Sequence, residues 1–521
     1  MPSTRRIVAA VTAAHAVVGA WIGTSMAGPL LAIDDLAYLA MGRTLAGGGA
    51  APLGAQPPYG VLYPVLLAPG WLVGLDESQM IVFAQIVNAL LGAALVPVLY
   101  ALVRRLTDVG FGRALGAAAI GASLPAALLT GTIVWTERLL PLLVALAMLA
   151  LLRLRDELGI GRTVEVAAVA VALVATHPRM ISVSLVVVAA AAWFLVRGAA
   201  PRPLIPLTVG VASGLVISEL ARRTLARRTF GADATYDASD LASRRGVDDG
   251  LEMALRGGGT LAYLVLATAG LAVVGLLVMA RRRDVVTIYA AMVTGTVAVS
   301  GWFLVGVGRA DAYLHGRYIE VLAPLLVALG VIGLARLPWR LSASAIAGSV
   351  VVAGLYGAWA GPGNNWATSR TPVMMLGTEV SGAPFGQSVF EPGAAAAIGL
   401  LAGLLLLAAA RGRVGEPPLV AGLIVAIAVM SGTEAIDSLR DNSTVGAVQV
   451  AMADVEIERL VIDERVPSTL AGAVAWEVGF DRSSREISID MTHLLLPPEA
   501  TAPAGAEIVV ELAGGILWEL G

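Results

Sequence analysis

The chain contains no cysteine and no lysine, and it is poor in charge. Its 35 basic residues are all arginine, and only 14% of its 521 residues are charged, whereas 57% are hydrophobic. Without thiols the protein cannot form a disulfide, a zinc–cysteine site or a thiol nucleophile. The mean hydropathy of +0.81 and the low charge lie well outside the range of an average soluble domain. The composition therefore indicates a polytopic membrane protein.

Motifs that are typical of soluble enzymes are also absent from the sequence. There is no P-loop, no dinucleotide-binding fingerprint after a strand, no G-x-S-x-G nucleophile motif and no H-E-x-x-H zinc motif. No basic domain is present either, which argues against a nucleic-acid partner. Candidate functional residues must therefore be sought among the polar residues that separate the apolar segments.

Apolar runs dominate residues 1–434 and predict a transmembrane domain. A membrane-spanning helix needs about 17 to 25 residues, and about thirteen such runs occur here. The arginines fall on alternate, short connections, which the positive-inside rule assigns to the cytoplasm. We therefore expect an all-α, multi-pass protein of the cytoplasmic membrane, with its N-terminus inside and its C-terminus outside. The predicted spans lie near 7–29, 79–103, 114–133, 138–153, 163–177, 180–197, 203–221, 259–280, 285–306, 319–335, 341–360, 393–410 and 418–434.

The first apolar run is open to a second interpretation. The letters "MPSTRR" resemble the n-region of a signal peptide, and "SMA" resembles a cleavage site. However, the run is longer than the usual apolar region of a signal peptide, which has about 7 to 15 residues. We therefore expect an uncleaved first helix.

The outer connections collect the unusual residues, and the C-terminal segment has a pattern of its own. The first predicted outer loop covers 30–78, and two others lie near 222–258 and 361–393. After the last span, residues 435–521 contain short β-type runs broken by proline, glycine and aspartate. These residues are expected to form a small β-rich extracytoplasmic C-terminal domain. The runs are "VGAVQVAM", "VEIERLVID", "GAVAWEVGF", "REISIDM" and "AEIVVELAGGILWEL".

Two adjacent aspartates, Asp34 and Asp35, follow the first span in "AIDDLAYLAMGRTLAGGG". The segment is expected to be a short amphipathic helix that lies on the membrane, with an acidic N-terminus and glycines after its last turn. One aspartate could simply cap this helix. Adjacent helical residues point about 100 degrees apart, so the two carboxylates are not expected to face one atom. If the pair is catalytic, one aspartate acts and the other supports it.

A further acidic residue, Glu137, lies in a tight outer corner, "TGTIVWTERLL". In one interpretation it is a functional carboxylate on the same face as Asp34. In the other, Glu137 pairs with an arginine, Trp135 belongs to the aromatic belt of the membrane, and Arg138 snorkels to the interface. The spacing leaves both interpretations open.

Two outer corners each combine histidine with arginine. His177 and Arg179 lie in "ATHPRM", and His315, Arg317 and Tyr318 lie in "DAYLHGRYIEVLAP". A guanidinium offers a fixed fork of donors to phosphate oxygens, so these corners could hold a phosphate at the outer membrane surface. The alternative for "ATHPRM" is a solvated turn in which proline ends a helix.

The order of these segments resembles the integral-membrane glycosyltransferases of the C-type fold. That superfamily includes protein mannosyltransferases, aminoarabinose transferases and bacterial cell-wall arabinosyltransferases. The aspartate segment followed by "PPYGVLYPVLLAPGWLVG" is similar to its first outer loop. "VWTERLL" is similar to its Thr-Glu corner, "THPRM" to its Arg-Pro-type corner and "HGRYIEVLAP" to its late Arg-Tyr helix entry. The resemblance covers residues 1–335. The tryptophan-rich acceptor motif of oligosaccharyltransferases is absent, which argues against asparagine glycosylation.

The resemblance implies a polyprenyl-phosphate-linked sugar as donor, used outside the cytoplasmic membrane. It also implies that Asp34 is the catalytic base and that Asp35 supports it. Glu137 would bind substrate or, together with Asp34, a divalent cation such as Mg²⁺, Mn²⁺ or Ca²⁺; the metal requirement varies within the superfamily and stays open. Binding of substrate and donor phosphate would further involve Arg43, His177, Arg179, His315, Arg317 and Tyr318.

The chemistry of the transfer agrees with these residue types. A sugar on a lipid phosphate already has a good leaving group, so the site needs cations that stabilise the departing phosphate. It also needs one carboxylate that takes the proton of the acceptor hydroxyl. Attack opposite the phosphate would invert the anomeric centre. The acceptor could be a cell-envelope glycan, such as an arabinan or mannan, or a protein Ser/Thr hydroxyl, and the sequence does not distinguish them.

Two other classes of function are compatible with many membrane spans. A transporter or lipid-linked-sugar flippase usually binds its substrate at the bilayer midplane and contains an internal repeat. Here the acidic residues cluster at outer helix ends, and no clear repeat is visible. The third class is a non-catalytic envelope scaffold whose outer domain binds glycan. Transfer activity that depends on Asp34 would separate the enzyme from both.

Overall fold

The structure, a computed structural model of the chain, describes residues 4–25, 34–51, 60–231, 249–306, 310–360 and 392–412, together with parts of 421–520. Several predicted features lie partly or largely outside the described residues. They are the parts of the first outer loop at 30–33 and 52–59, the middle of the second at 232–248, most of the third at 361–393, about half of the span at 418–434 and most of the run "REISIDM".

Long apolar helices form the membrane domain, as the hydropathy pattern predicts. Most begin and end within a few residues of a predicted span, because a helix satisfies all backbone groups of an apolar segment internally. The helices are α1 (Thr4–Thr24), α2 (Asp34–Leu45), α3 (Leu62–Leu72), α4 (Glu77–Leu106), α5 (Phe111–Ala122), α6 (Pro125–Leu129), α7 (Leu139–Asp156), α8 (Ile160–Thr176), α9 (Ile181–Arg197), α10 (Leu204–Phe230), α11 (Asp249–Ala267), α12 (Leu271–Met279), α13 (Arg283–Leu304), α14 (Ala323–Arg336), α15 (Trp339–Ala360) and α16 (Pro392–Ala410).

Two of the predicted spans are broken helices. Among the described residues, seven helices are long and apolar enough to cross a membrane, or up to nine if each of two bent pairs counts as one span. The pairs are α5 with α6, bent by 58°, and α11 with α12, bent by 98°. Pro125 begins α6 and Gly270, with a φ of +75°, precedes α12, so each break has a local backbone cause. The fold is a polytopic helical one, whereas the count of about thirteen spans and their orientation stay predictions.

Close helix contact depends on small residues in the centre of the bundle. A Cβ atom at Gly275 of α12 would overlap the carbonyl oxygen of Leu326 in α14, and one at Gly330 of α14 would overlap the carbonyl oxygen of Leu271 in α12. The two backbones therefore approach each other reciprocally, as small residues allow in membrane proteins.

The aspartate segment forms the predicted helix, but α2 is buried within the protein instead of presenting a polar face to solvent. Its residues from Asp34 to Arg43 are all buried. The apolar side chains face all round the helix, and such a helix is buried by its neighbours. Tyr63 of α3 contacts Tyr38 of α2 edge to face at 5.3 Å. After α2, Gly47 adopts a φ of +94°, in agreement with the predicted glycine end.

The arginines that were expected in the second outer loop belong to a helix instead. The span predicted to end at 221 continues as α10 to Phe230, and Arg222 and Arg223 both pair with Glu219 on the same helix, at 2.7 and 2.6 Å. These i,i+3 and i,i+4 pairs favour continuation of the helix. Near its end, Thr229 Oγ1 donates to Thr44 Oγ1 at 3.0 Å. The loop prediction for 222–230 is therefore wrong.

A small mixed sheet follows the membrane domain. Its strands are β1 (Leu460–Ile462), β2 (Ser483–Ser484), β3 (His493–Leu496), β4 (Glu507–Leu512) and β5 (Gly515–Glu519). Their order is β2-β1-β3-β5-β4; β1 pairs in parallel with β2 and β3, and β5 is antiparallel to β3 and β4. The runs "VEIERLVID" and "AEIVVELAGGILWEL" thus contain strands, as predicted.

Two other predicted β-type runs are helical in the described residues. "GAVAWEVGF" lies largely in α17 (Ser468–Val478), and Ala447 and Val448 of "VGAVQVAM" are also helical. Leu470, Val474 and Val478 are buried at a spacing of four, which matches a helix face. Short apolar runs do not distinguish helix from strand by periodicity alone. The C-terminal region is therefore mixed α/β rather than purely β-rich.

Candidate active site

Four charged side chains from separate parts of the chain meet in the membrane domain. Asp34 is the first residue of α2, and Glu137 lies in a 3₁₀ turn before α7. Arg179 lies in a 3₁₀ turn before α9, and Arg317 lies shortly before α14. We call these four residues the ion cluster. Each lies at the start of a helix or in the few residues before one, so the bundle brings four helix entries to one place.

Arg317 links the two carboxylates of the ion cluster. Its Nη1 atom donates to Asp34 Oδ2 at 2.9 Å, and its Nε atom donates to Glu137 Oε1 at 2.6 Å. Arg179 Nη2 donates to the same Glu137 oxygen at 2.9 Å. These contacts join residues that are 283, 180 and 42 positions apart in the sequence. The cluster is therefore a product of the tertiary fold.

The ion cluster is almost fully shielded from solvent. The exposed fraction is 9% for Asp34, 4% for Glu137, 4% for Arg179 and 8% for Arg317. Burial alone would raise the pKa of Glu137, but the charges and hydrogen bonds of Arg317 and Arg179 outweigh it and hold this pKa below its ordinary value. Two cations and two anions balance each other, and the loss of one would leave a buried charge uncompensated.

The corner that carries Glu137 is anchored by two amides of α4. Gln85 Nε2 donates to the carbonyl oxygen of Thr132 at 3.2 Å, and Asn88 Nδ2 donates to that of Ile133 at 2.8 Å. Both amides are fully buried. They satisfy carbonyl groups that the irregular backbone of the corner leaves outside a helix, and so hold Glu137 in place.

Arg138 is buried beside this corner and does not reach the membrane interface. Its exposed fraction is 3%, and its Nη1 atom donates to the carbonyl oxygen of Ala127 at 2.6 Å. Gly92 of α4 leaves the space for its guanidinium, because a Cβ there would overlap it. The interpretation of Arg138 as a snorkelling residue is therefore wrong.

Aromatic rings cover both guanidinium groups of the ion cluster. Arg317 Cζ lies 3.8 Å from the centroid of the Trp135 ring, and Arg179 Cζ lies 4.7 Å from that of Tyr318. His315 contacts Tyr318 edge to face at 4.6 Å. Trp135 is fully buried, so its assignment to the aromatic belt is wrong. Such cation–π contacts fix the plane of each guanidinium.

Arg179 keeps donors that are available to a ligand. Its Nε and Nη1 atoms are buried and have no hydrogen-bond partner among the residues that the structure describes. Its backbone N–H donates to His177 Nδ1 at 3.3 Å, which ties the histidine to the same turn. A buried N–H without an acceptor is costly. The arrangement therefore fits a ligand that brings anionic oxygen atoms.

Asp35 and Arg43 have different surroundings from Asp34. Asp35 is fully buried and lies near Tyr63, in keeping with two adjacent carboxylates that face different directions. Arg43 follows Asp34 by nine residues, about 14 Å along the helix axis, and lies near Glu77. The predicted roles of Asp35 in catalysis and of Arg43 in donor binding stay predictions.

Glu320 is a residue of this region that the sequence motifs leave unmarked. It accepts a hydrogen bond from the Tyr263 hydroxyl, and together with Glu137 it lines a cavity of about 20 Å³, which has room for a water molecule. The sequence could have pointed to Glu320 by its spacing, because Glu320 follows Arg317 by three residues, nearly one helical turn.

The geometry does not fit a divalent cation shared by Asp34 and Glu137. Arg317 lies between these carboxylates and donates to both, so a metal bound by both would have to displace its guanidinium. Within the described ranges, no group of three or more His, Cys, Asp or Glu side chains could hold a metal ion. The Mg²⁺, Mn²⁺ or Ca²⁺ requirement stays a prediction.

Nearly the whole chain matches solved structures of one membrane protein. The crystal structure of ArnT from Cupriavidus metallidurans in the apo state matches with a TM-score of 0.57 and 14% identity, covering 99% of this chain and 98% of that chain. ArnT from the same organism bound to undecaprenyl phosphate matches with a TM-score of 0.55 and 15% identity over the same shares of both chains. Arabinosyltransferase EmbB from Mycobacterium smegmatis gives a TM-score of 0.46, too low to support an argument, at 14% identity over 96% of this chain and 45% of that chain. No family model and no curated protein matches the sequence.

The identities are low, so these likenesses establish the fold and not the activity. The ArnT matches extend over both chains almost end to end, and they include the helical bundle that carries the ion cluster. The resemblance stated from the short outer motifs is thus confirmed at the level of fold. The chain has the polytopic helical fold seen in the two ArnT structures.

Proposed function

We propose that the protein is an inverting membrane glycosyltransferase that moves a sugar from a polyprenyl-phosphate donor to an extracytoplasmic hydroxyl. The observation that carries the proposal is the ion cluster. In it, the buried Nε and Nη1 atoms of Arg179 have no hydrogen-bond partner among the described residues, and Arg317 donates to the carboxylate of Asp34 at 2.9 Å. Transfer from a lipid phosphate requires cations for the phosphate and a base for the acceptor in one shielded site.

Arg179 and Arg317 bind the donor phosphate in this proposal. A guanidinium presents N–H groups in a planar fork that matches phosphate oxygens. ArnT, which shares the fold, has been solved with undecaprenyl phosphate bound. As the bond to the sugar breaks, negative charge develops on the phosphate, and both cations stabilise it.

Glu137 positions the two arginines rather than the sugar. One carboxylate oxygen accepts hydrogen bonds from both Arg317 and Arg179. The two guanidiniums are thereby held side by side before the donor arrives, so little reorganisation is needed when charge develops on the phosphate.

Asp34 acts as the general base. It takes the proton of the acceptor hydroxyl while the acceptor oxygen attacks the anomeric carbon. The new bond forms opposite the phosphate, the bond from the anomeric carbon to the phosphate oxygen breaks, and its electron pair stays on the polyprenyl phosphate. Before binding, Asp34 is paired with Arg317. When the phosphate engages Arg317, this pair weakens and the carboxylate becomes available to the acceptor.

The substrates are proposed by class. The donor is a polyprenyl monophosphate that carries a pentose or hexose, and the acceptor is a hydroxyl of a cell-envelope glycan such as an arabinan or mannan, or of a protein serine or threonine. One carboxylate is enough for any of these acceptors, because each needs only one proton removed.

The test is sugar transfer by the full chain reconstituted in vesicles with a panel of undecaprenyl-phosphate-linked pentoses and hexoses. We expect product from at least one donor, and loss of product with Arg179→Gln. The control is Arg105→Gln, which changes an exposed arginine paired with Asp156 and is expected to leave transfer intact. Movement of the intact donor between leaflets without any transfer product would overturn the proposal in favour of a flippase.

A further inference from the structure

A wide groove lies between α9 and α13, away from the ion cluster. Its volume is about 920 Å³. Small and apolar side chains form its walls, because alanines on both helices leave space between the bulkier residues. The wall residues include Val186, Ala189, Ala190, Phe194, Ile288 and Ala291.

One end of this groove is strongly cationic. Arg155, Arg197 and Arg283 line it, and Asp284 is the acidic residue among them. Asp284 is already paired with Arg155 at 2.9 Å. In the part of the chain that the structure describes, no ion pair involves Arg197 or Arg283, and Arg197 lies over the ring of Trp193 at 5.3 Å. Two guanidiniums at the mouth are therefore available to an anion.

The groove has the length of one bilayer leaflet. From Val186 to Arg197 the helix rises about 16 Å, and half of the hydrocarbon core of a bilayer measures about 15 Å. Trp193, close to the cationic mouth, is a residue type that favours the membrane–water interface. An acyl chain would thus lie along the alanine-lined wall while its headgroup reached the arginines.

The donor lipid does not explain the cationic mouth. Arg179 lies just before α9 and Arg197 at its end, about 27 Å apart along the helix axis. A phosphate held by the ion cluster is therefore far from Arg197 and Arg283. Arg197 and Arg283 lie on the side that the arginine pattern predicts to be cytoplasmic.

We propose that this groove is a binding site for an anionic phospholipid of the cytoplasmic leaflet. Its headgroup phosphate contacts Arg197 and Arg283, and an acyl chain fills the groove between α9 and α13. The site is separate from the proposed transferase site, and it does not depend on transfer activity.

Native mass spectrometry of the detergent-solubilised full chain, titrated with phosphatidylglycerol or with phosphatidylcholine, tests the proposal. Each arginine near a membrane surface contributes enough to anionic lipid binding that loss of two corresponds to about a 30-fold weaker affinity. We expect this loss for phosphatidylglycerol with R197Q/R283Q. The control is Arg202→Gln, an exposed arginine nearby that does not line the groove.

A second variant tests the groove without a change of charge. Ala189 is exposed and lines the groove, so Ala189→Phe fills the space for the acyl chain while both arginines stay. It is expected to weaken phosphatidylglycerol binding, with undecaprenyl phosphate binding unchanged. Equal affinity for the two phospholipids in the unmodified protein, or phosphatidylglycerol binding unaltered by R197Q/R283Q and by Ala189→Phe, would overturn the proposal.

Discussion

The two ends of the helix bundle carry ion pairs of different kinds. At one end, the ion cluster joins Asp34, Glu137, Arg179 and Arg317, and its side chains are at most 12% exposed. At the other end of α7, Arg105 pairs with Asp156 at 2.6 Å, with side chains 40% and 50% exposed. The residue types and distances are similar, but the surroundings are not.

This difference indicates where charge has a functional role. An exposed pair gains little, because water already solvates both partners. A buried pair must overcome a large desolvation cost, and well-packed apolar residues would often be as stable in its place. A buried cluster in which Arg179 Nε and Nη1 have no partner within the described ranges is therefore better explained by chemistry than by stability, whereas the exposed pairs need no such explanation.

The largest expected effect is on catalysis by Asp34. Asp34→Asn removes the base but keeps the size of the side chain, and loss of general base catalysis typically lowers the rate about 10²- to 10⁴-fold. Transfer rates of purified protein in vesicles measure the loss. Asp156→Asn at the other end of α7 is the matched control and should transfer normally. A rate for Asp34→Asn within a few-fold of the unmodified protein would refute the base assignment.

The next effect concerns stability. Glu137→Ala leaves Arg179 and Arg317 buried without their shared carboxylate, and breaking a buried pair in this way costs about 3 to 5 kcal/mol. Glu165→Ala, which removes the partner of Arg153 and Arg162 in two partly exposed pairs, should cost about 1 kcal/mol or less per pair. Thermal unfolding in detergent compares the two. An equal loss of stability in Glu137→Ala and Glu165→Ala would mean that burial does not decide how much an ion pair contributes at the two ends of the bundle.

A smaller effect is expected on phosphate affinity. Arg179→Lys keeps the charge but loses the planar fork, and one charge-assisted hydrogen bond is worth about 1.5 to 3 kcal/mol. Binding of undecaprenyl phosphate, followed by native mass spectrometry, should weaken about 10- to 100-fold. Arg105→Lys serves as the control and should bind as the unmodified protein does. Unchanged binding of undecaprenyl phosphate by Arg179→Lys would exclude a contact in which Arg179 Nε and Nη1 both donate to the phosphate.

The smallest effect is expected at the exposed end. Arg105→Ala removes a pair that is half in water, so it should lower the free energy of unfolding by about 1 kcal/mol or less and leave transfer intact. Increasing salt should reduce even this difference, because exposed charges are screened. A loss of several kcal/mol would show that exposure is a poor guide to the role of these pairs.

Much of the fold could be predicted from the sequence. Apolar length located most helices, since a bilayer imposes both a length and internal hydrogen bonding on each span. The bend at Gly270 and the surroundings of α2 were not predicted. Both depend on neighbouring helices. Helix α2 is buried because α3 and other elements cover it, and the distribution of apolar residues along α2 does not indicate this.

The candidate site was predictable in its members but not in its geometry. Short motifs marked Asp34, Glu137, Arg179 and Arg317 as polar residues at helix entries. That Arg317 would donate to an aspartate 283 residues away is a property of the tertiary fold. The role of Trp135 as the ring beneath Arg317 was missed for the same reason, because a tryptophan at a span end usually indicates the membrane interface.

In the proposed mechanism, the ion cluster holds the phosphate of a lipid-linked donor beside Asp34. A structure of the full chain with undecaprenyl phosphate tests it most directly. We expect density for the phosphate within about 2.7 to 2.9 Å of Arg179 Nε and Nη1, with Arg317 turned toward it and away from Asp34. A phosphate bound elsewhere, with both Arg179 positions still unpaired and the contact between Arg317 and Asp34 intact, would contradict it.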